Sequence, residues 1–428
     1  MKSITFEYGK KGLEIKIDPS WNCTFIKPKN QIVLTNPVRS IRKAIQNPLG
    51  TLSLEDIIKN KKKVNSICIV VSDATRPVPS HLIIEALIME LENLGLGNDL
   101  ITILIATGLH RPSNGKEIER IVGKKYYGKI KVMNHNAKDL NSLQYIGDFK
   151  DGIPIYINKL FLESDLKIIV GYVEPHFFFG FSGGSKAIIP GIAGKDTIMF
   201  NHSAENIASP YSRFGLYKSN PMAKMSSDLV KQIGIDFIVN VCINEKHQIT
   251  KVAAGELEKV HKALVNYQLE HIFTNLKKPF DIVVCGNGGY PLDLNLYQAV
   301  KSMAIGELAV RHGGTIISVN ECSDGIGIGQ EDFKQLLFSA MSPKEIYHKV
   351  LNKEILLPDQ WEIQVLTRIM QKADIYVISK LKEQELGNIG LKYAHSVEDA
   401  INQALNLHGY NASVLFLPNG PQVLPKLI

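Results

Sequence analysis

The chain has 428 residues and a formal net charge of +7, with 45% hydrophobic and 21% charged residues. That length is more than one hydrophobic core ordinarily serves, and the composition is ordinary for a soluble enzyme, so two domains are expected. No apolar run approaches the roughly 20 residues of a membrane helix, and no basic tract interleaved with aromatics offers a nucleic-acid surface.

The N-terminus, residues 1–6, alternates like a strand and lacks an apolar signal core. The run Lys59 to Lys63 reads as a solvated charged face. Ser66 to Val71 is a buried-strand pattern, followed by an amphipathic helix from His81 to Leu94 that Gly95 closes. Asp99 to Ala106 is a second buried strand. Asn114 with Glu117 forms a capping-box signal for a helix to Val122. Lys129 to Asn134 and Leu166 to Gly171 supply two more strands.

A polar linker at residues 275–279 precedes a fresh unit. Within it Phe280 to Cys285 reads as a strand, and Leu294 to Arg311 as a helix stopped by Gly313-Gly314. Thr315 to Asn320 and Asp374 to Ser379 are strands, Val397 to Leu407 a helix, and Ser413 to Leu417 a strand. The alternation predicts an α/β protein of two domains, 1–275 and 276–428, each with a mainly parallel sheet flanked by helices. The last ten residues are compatible with a return to the first domain. The five cysteines are dispersed without a CxxC pair, three of them inside strand-like runs. This usage points to a reducing, cytoplasmic setting and away from a thiolate metal cluster.

Polar clusters follow three of the strands, where open α/β sheets place their ligands. After the first come Asp73, Thr75 and Arg76, suited to holding a carboxylate or phosphate, or equally to an Asp73–Arg76 pair within a proline-shaped turn. After the second, Gly108-Leu109-His110 offers an acid or base, or simply an exposed loop histidine. After Leu166 to Gly171 comes the segment from Pro175 to Lys186, with His176, four phenylalanines and Gly183-Gly184-Ser185-Lys186, and then Asn201-His202. A phosphate loop of the Walker type needs glycine immediately before the lysine, where Ser185 stands. His176 and His202 could bind a metal, since imidazole suits Zn, Cu, Fe and Ni, but they are 26 residues apart and not at helical ligand spacing, and the phenylalanines read as packing that dries the region.

In the second unit Cys285 to Pro291 matches a dinucleotide fingerprint only loosely, since Pro291 replaces its third glycine. Tyr297, Gln298 and Lys301 lie three and four residues apart on one helix and can serve one face or simply make it wet. Asp324 to Gly329 reads as a lid or hinge turn.

Taken together and in order, Asp73-x-Thr75-Arg76-Pro77, Gly108-x-His110, Pro175-His176, Gly180-Phe181-Ser182-Gly183-Gly184-x-Lys186, Asn201-His202 and Tyr297-Gln298-x-x-Lys301 resemble the nickel-pincer lactate racemase family. The likeness runs from about residue 70 to 305. It implies a racemase that interconverts D- and L-lactate in a cleft between the domains. It also implies a cofactor: the nickel(II) pincer complex of pyridinium-3-thioamide-5-thiocarboxylic acid mononucleotide.

By carry-over Lys186 bonds covalently to this group, His202 ligates nickel, and Asp73, Thr75 and Arg76 help to hold the cofactor. His110 and His176 are the acid/base pair, and Gln298, Lys301 and Tyr297 orient the substrate. Transient contact with cofactor-synthesis or nickel-insertion proteins follows from the same resemblance. Two alternatives remain beside it: a racemase or epimerase of another 2-hydroxy acid, and a non-catalytic nickel-nucleotide binding protein. The paired histidines argue against the latter, because a carrier has no use for an acid and a base.

Overall fold

The computed structural model describes residues 2–149, 152–357 and 360–428. They form two compact units, one continuous (residues 31–270) and one discontinuous (residues 1–30 and 271–428).

The continuous unit is built on a six-stranded sheet in the order Ile249–Gly255, Phe237–Ile243, Leu166–Tyr172, Ile67–Ser72, Ile101–Ala106, Lys131–Asn134. All neighbours are parallel except the pair formed by Phe237–Ile243 and Ile249–Gly255. The run Ile67–Ser72 is buried on both faces, as a central parallel strand requires. Helix Ser80–Asn93 buries Ile83, Ile84, Leu87, Ile88 and Leu91 in the same core as Ile69, Ile103 and Ile168. Helix Gly115–Val122 opens with the expected capping box, the Asn114 side chain accepting from the Glu117 N–H and the Glu117 side chain from the Asn114 N–H.

The discontinuous unit holds a second sheet, ordered Lys392–Tyr393, Ala373–Ile378, Val310–Val319, Phe280–Gly286, Ser413–Leu417, Asn22–Phe25, and parallel throughout. Its edge strand comes from the N-terminus, so the first 30 residues belong with residues 271–428 and not with the unit that follows them in sequence. The alternating apolar residues of the first strands carry this: Phe6, Ile15, Ile17 and Trp21 share a core with Ile282, Val284 and Phe416. Residues 275 and 276, read as linker, lie in strand Phe273–Leu276. The C-terminal strand Leu424–Leu427 pairs with it in parallel, inside the discontinuous unit.

Helix Leu296–Glu307 is shorter than the span from 294 to 311 expected of it. Asn295 caps its start, and at its end Ala309 and Val310 are already drawn to the sheet, where the Phe280 N–H bonds the Ala309 carbonyl at 2.8 Å. Gly313 and Gly314 therefore stop no helix. They lie within strand Val310–Val319 beside a register shift, and a Cβ on Gly314 would come 2.7 Å from the Asp281 carbonyl oxygen. Among the described residues no helix is long and apolar enough to cross a membrane.

Candidate active site

Strands Leu166–Tyr172, Ile67–Ser72 and Ile101–Ala106 are adjacent and parallel, so their C-terminal ends open on the same edge of the sheet. The three polar clusters that follow them are thereby brought side by side.

Asp73 is buried, and its carboxylate is fully engaged. Oδ2 meets His110 Nδ1 at 2.7 Å, while Oδ1 accepts from the Thr75 N–H at 3.2 Å and the Thr75 hydroxyl at 2.7 Å. Burial alone would raise its pKa, but His110, the Arg76 guanidinium and the Thr75 hydroxyl together hold it at about 2. The Asp73–Arg76 pair weighed from sequence is thus an electrostatic neighbour, and the close partner is His110. That histidine is set by its own loop, where the His110 N–H bonds the Thr107 carbonyl at 2.9 Å and the Thr107 hydroxyl bonds the His135 carbonyl at 2.7 Å. Its side chain is 48% exposed, so the far side of the ring is open.

His176 lies in a two-residue strand, Pro175–His176, paired with Gly180–Phe181. Its buried ring accepts the Phe179 N–H at Nδ1, at 3.2 Å. Phe178 stands edge-on to both rings, 4.6 Å from that of His176 and 5.2 Å from that of His202. The 26-residue gap between the histidines is thus spanned by one phenyl ring, and all four phenylalanines of the segment are buried, as their packing reading expects.

His202 follows helix Lys195–Asn201 as its C-cap. Burial, with the nearby Lys186 charge, brings its pKa down to about 3, so it is a neutral imidazole near pH 7. The Lys186 ammonium lies 5.3 Å from the centre of the Phe179 ring.

The glycines before Lys186 approach the protein's own groups. A Cβ on Gly183 would come 2.7 Å from the Tyr172 carbonyl oxygen, and one on Gly184 would come 2.8 Å from the His261 ring. Both have positive φ, +75° and +56°. Asn240 Oδ1 accepts the Gly184 N–H at 3.0 Å, and His261 Nε2 donates to the Ser182 carbonyl at 2.9 Å. These contacts set the backbone that carries Lys186.

In the discontinuous unit, Asn295 Oδ1 accepts the Gln298 N–H at 2.9 Å, and Lys301 Nζ donates to Gln298 Oε1 one turn on. Tyr297 is buried edge-on against Phe333, with ring centres 5.4 Å apart, which sets it apart from the more open Gln298 and Lys301. The Asp324 to Gly329 turn is tied to this helix, since Gly325 and Ile326 carbonyls accept the Leu296 and Tyr297 N–H groups, each at 3.0 Å. A segment so bonded clasps the helix start, in contrast to the lid or hinge expected.

Residues 8–215 match the lactate racemase N-terminal domain and residues 276–424 the lactate racemase C-terminal domain. The lactate racemase of Thermoanaerobacterium thermosaccharolyticum is 34% identical over 431 residues, covering 100% of both chains. The chain belongs to the lactate racemase family.

A second lactate racemase, from Lactiplantibacillus plantarum, is 36% identical over 390 residues and covers 90% of each chain. Among solved structures, the lactate racemase apoprotein from T. thermosaccharolyticum superposes with a TM-score of 0.90 at 32% identity, over 99% of this chain and all of that one. A Thermotoga maritima protein gives 0.69 at 19% identity, over 92% of this chain and 99% of that one, a likeness of fold.

Two residues beside the family's motif positions escaped the sequence reading. The Tyr172 hydroxyl donates to Glu174, and the pair lies within electrostatic reach of Arg76 and Asp73. Burial and the Glu174 carboxylate push the Tyr172 pKa well up, so it stays a phenol and a donor. Their position at the end of strand Leu166–Tyr172 was the available signal. His261 and Asn240 offered none, since they reach the site from elements far along the chain.

Proposed function

We propose that this protein interconverts D- and L-lactate, with His110 and His176 as its acid/base pair. In this reading it binds the nickel pincer pyridinium mononucleotide, through a covalent bond at Lys186 and nickel ligation at His202. The likeness to two lactate racemases, over 100% and 90% of the chain, supports the activity. At the level of residues, one observation carries the acid/base reading: Asp73 holds His110 Nδ1 at 2.7 Å and leaves the other ring nitrogen for a substrate hydroxyl.

The residues fit such a cofactor. A metal takes imidazole as a ligand only in its neutral form, which burial enforces at His202. Among the described residues no three His, Cys, Asp or Glu side chains gather as a metal site, so further donors would come from the bound group. When bound, that group supplies a hydride acceptor and donor, chemistry no side chain provides. Asp73 and Thr75 are bonded to one another, and with Arg76, whose guanidinium suits a phosphate, they are the residues we assign to holding the nucleotide.

The chain's own part is to move the hydroxyl proton and to orient the acid. The α-proton of a 2-hydroxycarboxylate is too weakly acidic for direct removal by imidazole, whereas the hydroxyl proton is within its reach once Cα is being oxidised. The cation formed on His110 rests against the Asp73 carboxylate. Lys301, with Gln298, supplies a cation and an amide suited to the substrate carboxylate. Tyr297 supports that helix from its buried seat on Phe333. Loading further implies transient contact with proteins that make the cofactor and insert nickel.

The test is to incubate cofactor-loaded protein with D-lactate and follow L-lactate. Intact mass should show a cofactor-sized adduct that disappears in Lys186→Ala, and His176→Ala should keep the adduct while losing turnover. Loaded protein inert on lactate but active on another 2-hydroxy acid would move the substrate. An adduct persisting in Lys186→Ala would remove the covalent assignment.

A further inference from the structure

We infer that the two histidines of the acid/base pair are held in opposite neutral tautomers, His110 by Asp73 and His176 by the Phe179 backbone amide, and so are chemically inequivalent. This deepens the racemase reading and rests on it for its functional sense. A carboxylate can only accept, so the ring nitrogen 2.7 Å from Asp73 Oδ2 is a donor: His110 carries its proton at Nδ1 and presents a lone pair at Nε2. A backbone N–H can only donate, so the nitrogen 3.2 Å from the Phe179 amide is an acceptor: His176 keeps Nδ1 bare and carries its proton at Nε2.

The same two contacts separate the cations. Protonating His110 at Nε2 leaves a positive ring against Asp73. Protonating His176 at Nδ1 sets two N–H groups against each other, and the ring must turn away from Phe179 to become an imidazolium. At rest, therefore, His110 is the base that takes up a hydroxyl proton, with an N–H bond forming at Nε2 as the O–H bond breaks. His176 donates toward oxygen through Nε2 and gives that proton up only as an imidazolium, once a solvent proton has bonded Nδ1 and the Phe179 contact has opened. It thus ends as a neutral ring while His110 returns its proton to solvent. Asp73 is the positioning residue for His110, and the Phe179 amide is the positioning group for His176.

The environment of Asp73 makes the dependence testable. Oδ1 is committed to two donors, the Thr75 N–H and hydroxyl. In Asp73→Asn the amide oxygen keeps that place, so the NH2 group faces His110 and donates to Nδ1. His110 then turns to the Nε2–H tautomer and loses its lone pair toward substrate.

The experiment is long-range proton–nitrogen NMR of histidine-labelled protein, with and without cofactor, near pH 8. His110→Gln and His176→Gln each remove one ring's signals and so assign them. Expected are a protonated Nδ1 on His110, a protonated Nε2 on His176, and a reversed His110 in Asp73→Asn. Turnover of that variant should fall by about 10³- to 10⁴-fold with KM little changed, as for a base held in the wrong tautomer. Identical tautomers on the two rings of the unsubstituted protein overturn the inference, and that result needs no variant to fold. Opposite tautomers in a protein that racemises no lactate leave the inference standing and remove the racemase reading instead.

Discussion

His261 donates through Nε2 to the Ser182 carbonyl at 2.9 Å, and its ring lies where a side chain on Gly184 would have to go. One imidazole thus fixes both the carbonyl before the glycine pair and the space beside it. Gly184→Ala should cost about 1–3 kcal/mol, since φ is +56° and the new methyl would sit 2.8 Å from the ring. Urea unfolding measures the loss. The Lys186 adduct should also form less completely, because the same backbone carries that lysine. Full stability together with full loading in this variant would refute the tight fit.

Acid should destabilise the fold in a histidine window. Burial brings the pKa of His135 and of His261 down to about 4, against the backbone hydrogen bonds that favour their cations. Below the ordinary value of 6.5 the unfolded chain takes up protons that the folded chain refuses until about pH 4. Stability is therefore present above 6.5 and is lost as pH falls toward 4, on the order of 3 kcal/mol for each ring. The carboxylates of Asp73 and Asp281, held at about 2, act only at lower pH. Urea midpoints between pH 7 and 4.5 should drop less steeply in His135→Gln and His261→Gln; equal slopes in all three proteins count against this account.

Removing the Lys301 ammonium tests the role assigned to it. Lys301→Ala should raise KM for lactate about 10- to 100-fold, the worth of one charge-assisted hydrogen bond, with the Lys186 adduct intact. An unchanged KM would place the substrate carboxylate elsewhere.

A local change remote from the chemistry gives a contrast. Asn114→Ala removes the side chain that accepts the Glu117 N–H, and should lower stability by about 1 kcal/mol while leaving turnover alone. Denaturant titration and racemisation rate, measured on one preparation, decide it.

What the sequence disclosed was what neighbours along the chain determine. The buried run of strand Ile67–Ser72, the Asn114–Glu117 cap and strand Ser413–Leu417 were legible because period and capping are local. The gathering of Asp73, His110 and His176 follows from strand adjacency, which the alternation of elements suggests. That Asp73 bonds His110 across 37 residues, with Arg76 acting on it through charge, is a tertiary fact without a local signature. Gly313 and Gly314 misled for a related reason: glycine marks a helix stop and a tight passage past a neighbouring strand alike, and only the Asp281 carbonyl distinguishes them. The roles of Lys186 and His202 toward a cofactor came from resemblance alone.

Among the described residues, strand Asn22–Phe25, on the edge of its sheet, pairs only with Ser413–Leu417. The ribosome makes Asn22–Phe25 long before Ser413–Leu417. At about 5–20 residues per second the first strand waits on the order of tens of seconds for its partner. Residues 31–270 are complete much earlier and can fold in that interval. Until residues 282–416 are made, the apolar side chains Phe6, Ile15, Ile17 and Trp21 lack the core they enter in the folded protein. The opening segment is thus where a chaperone, or a misfolding encounter between two nascent chains, would find its hold.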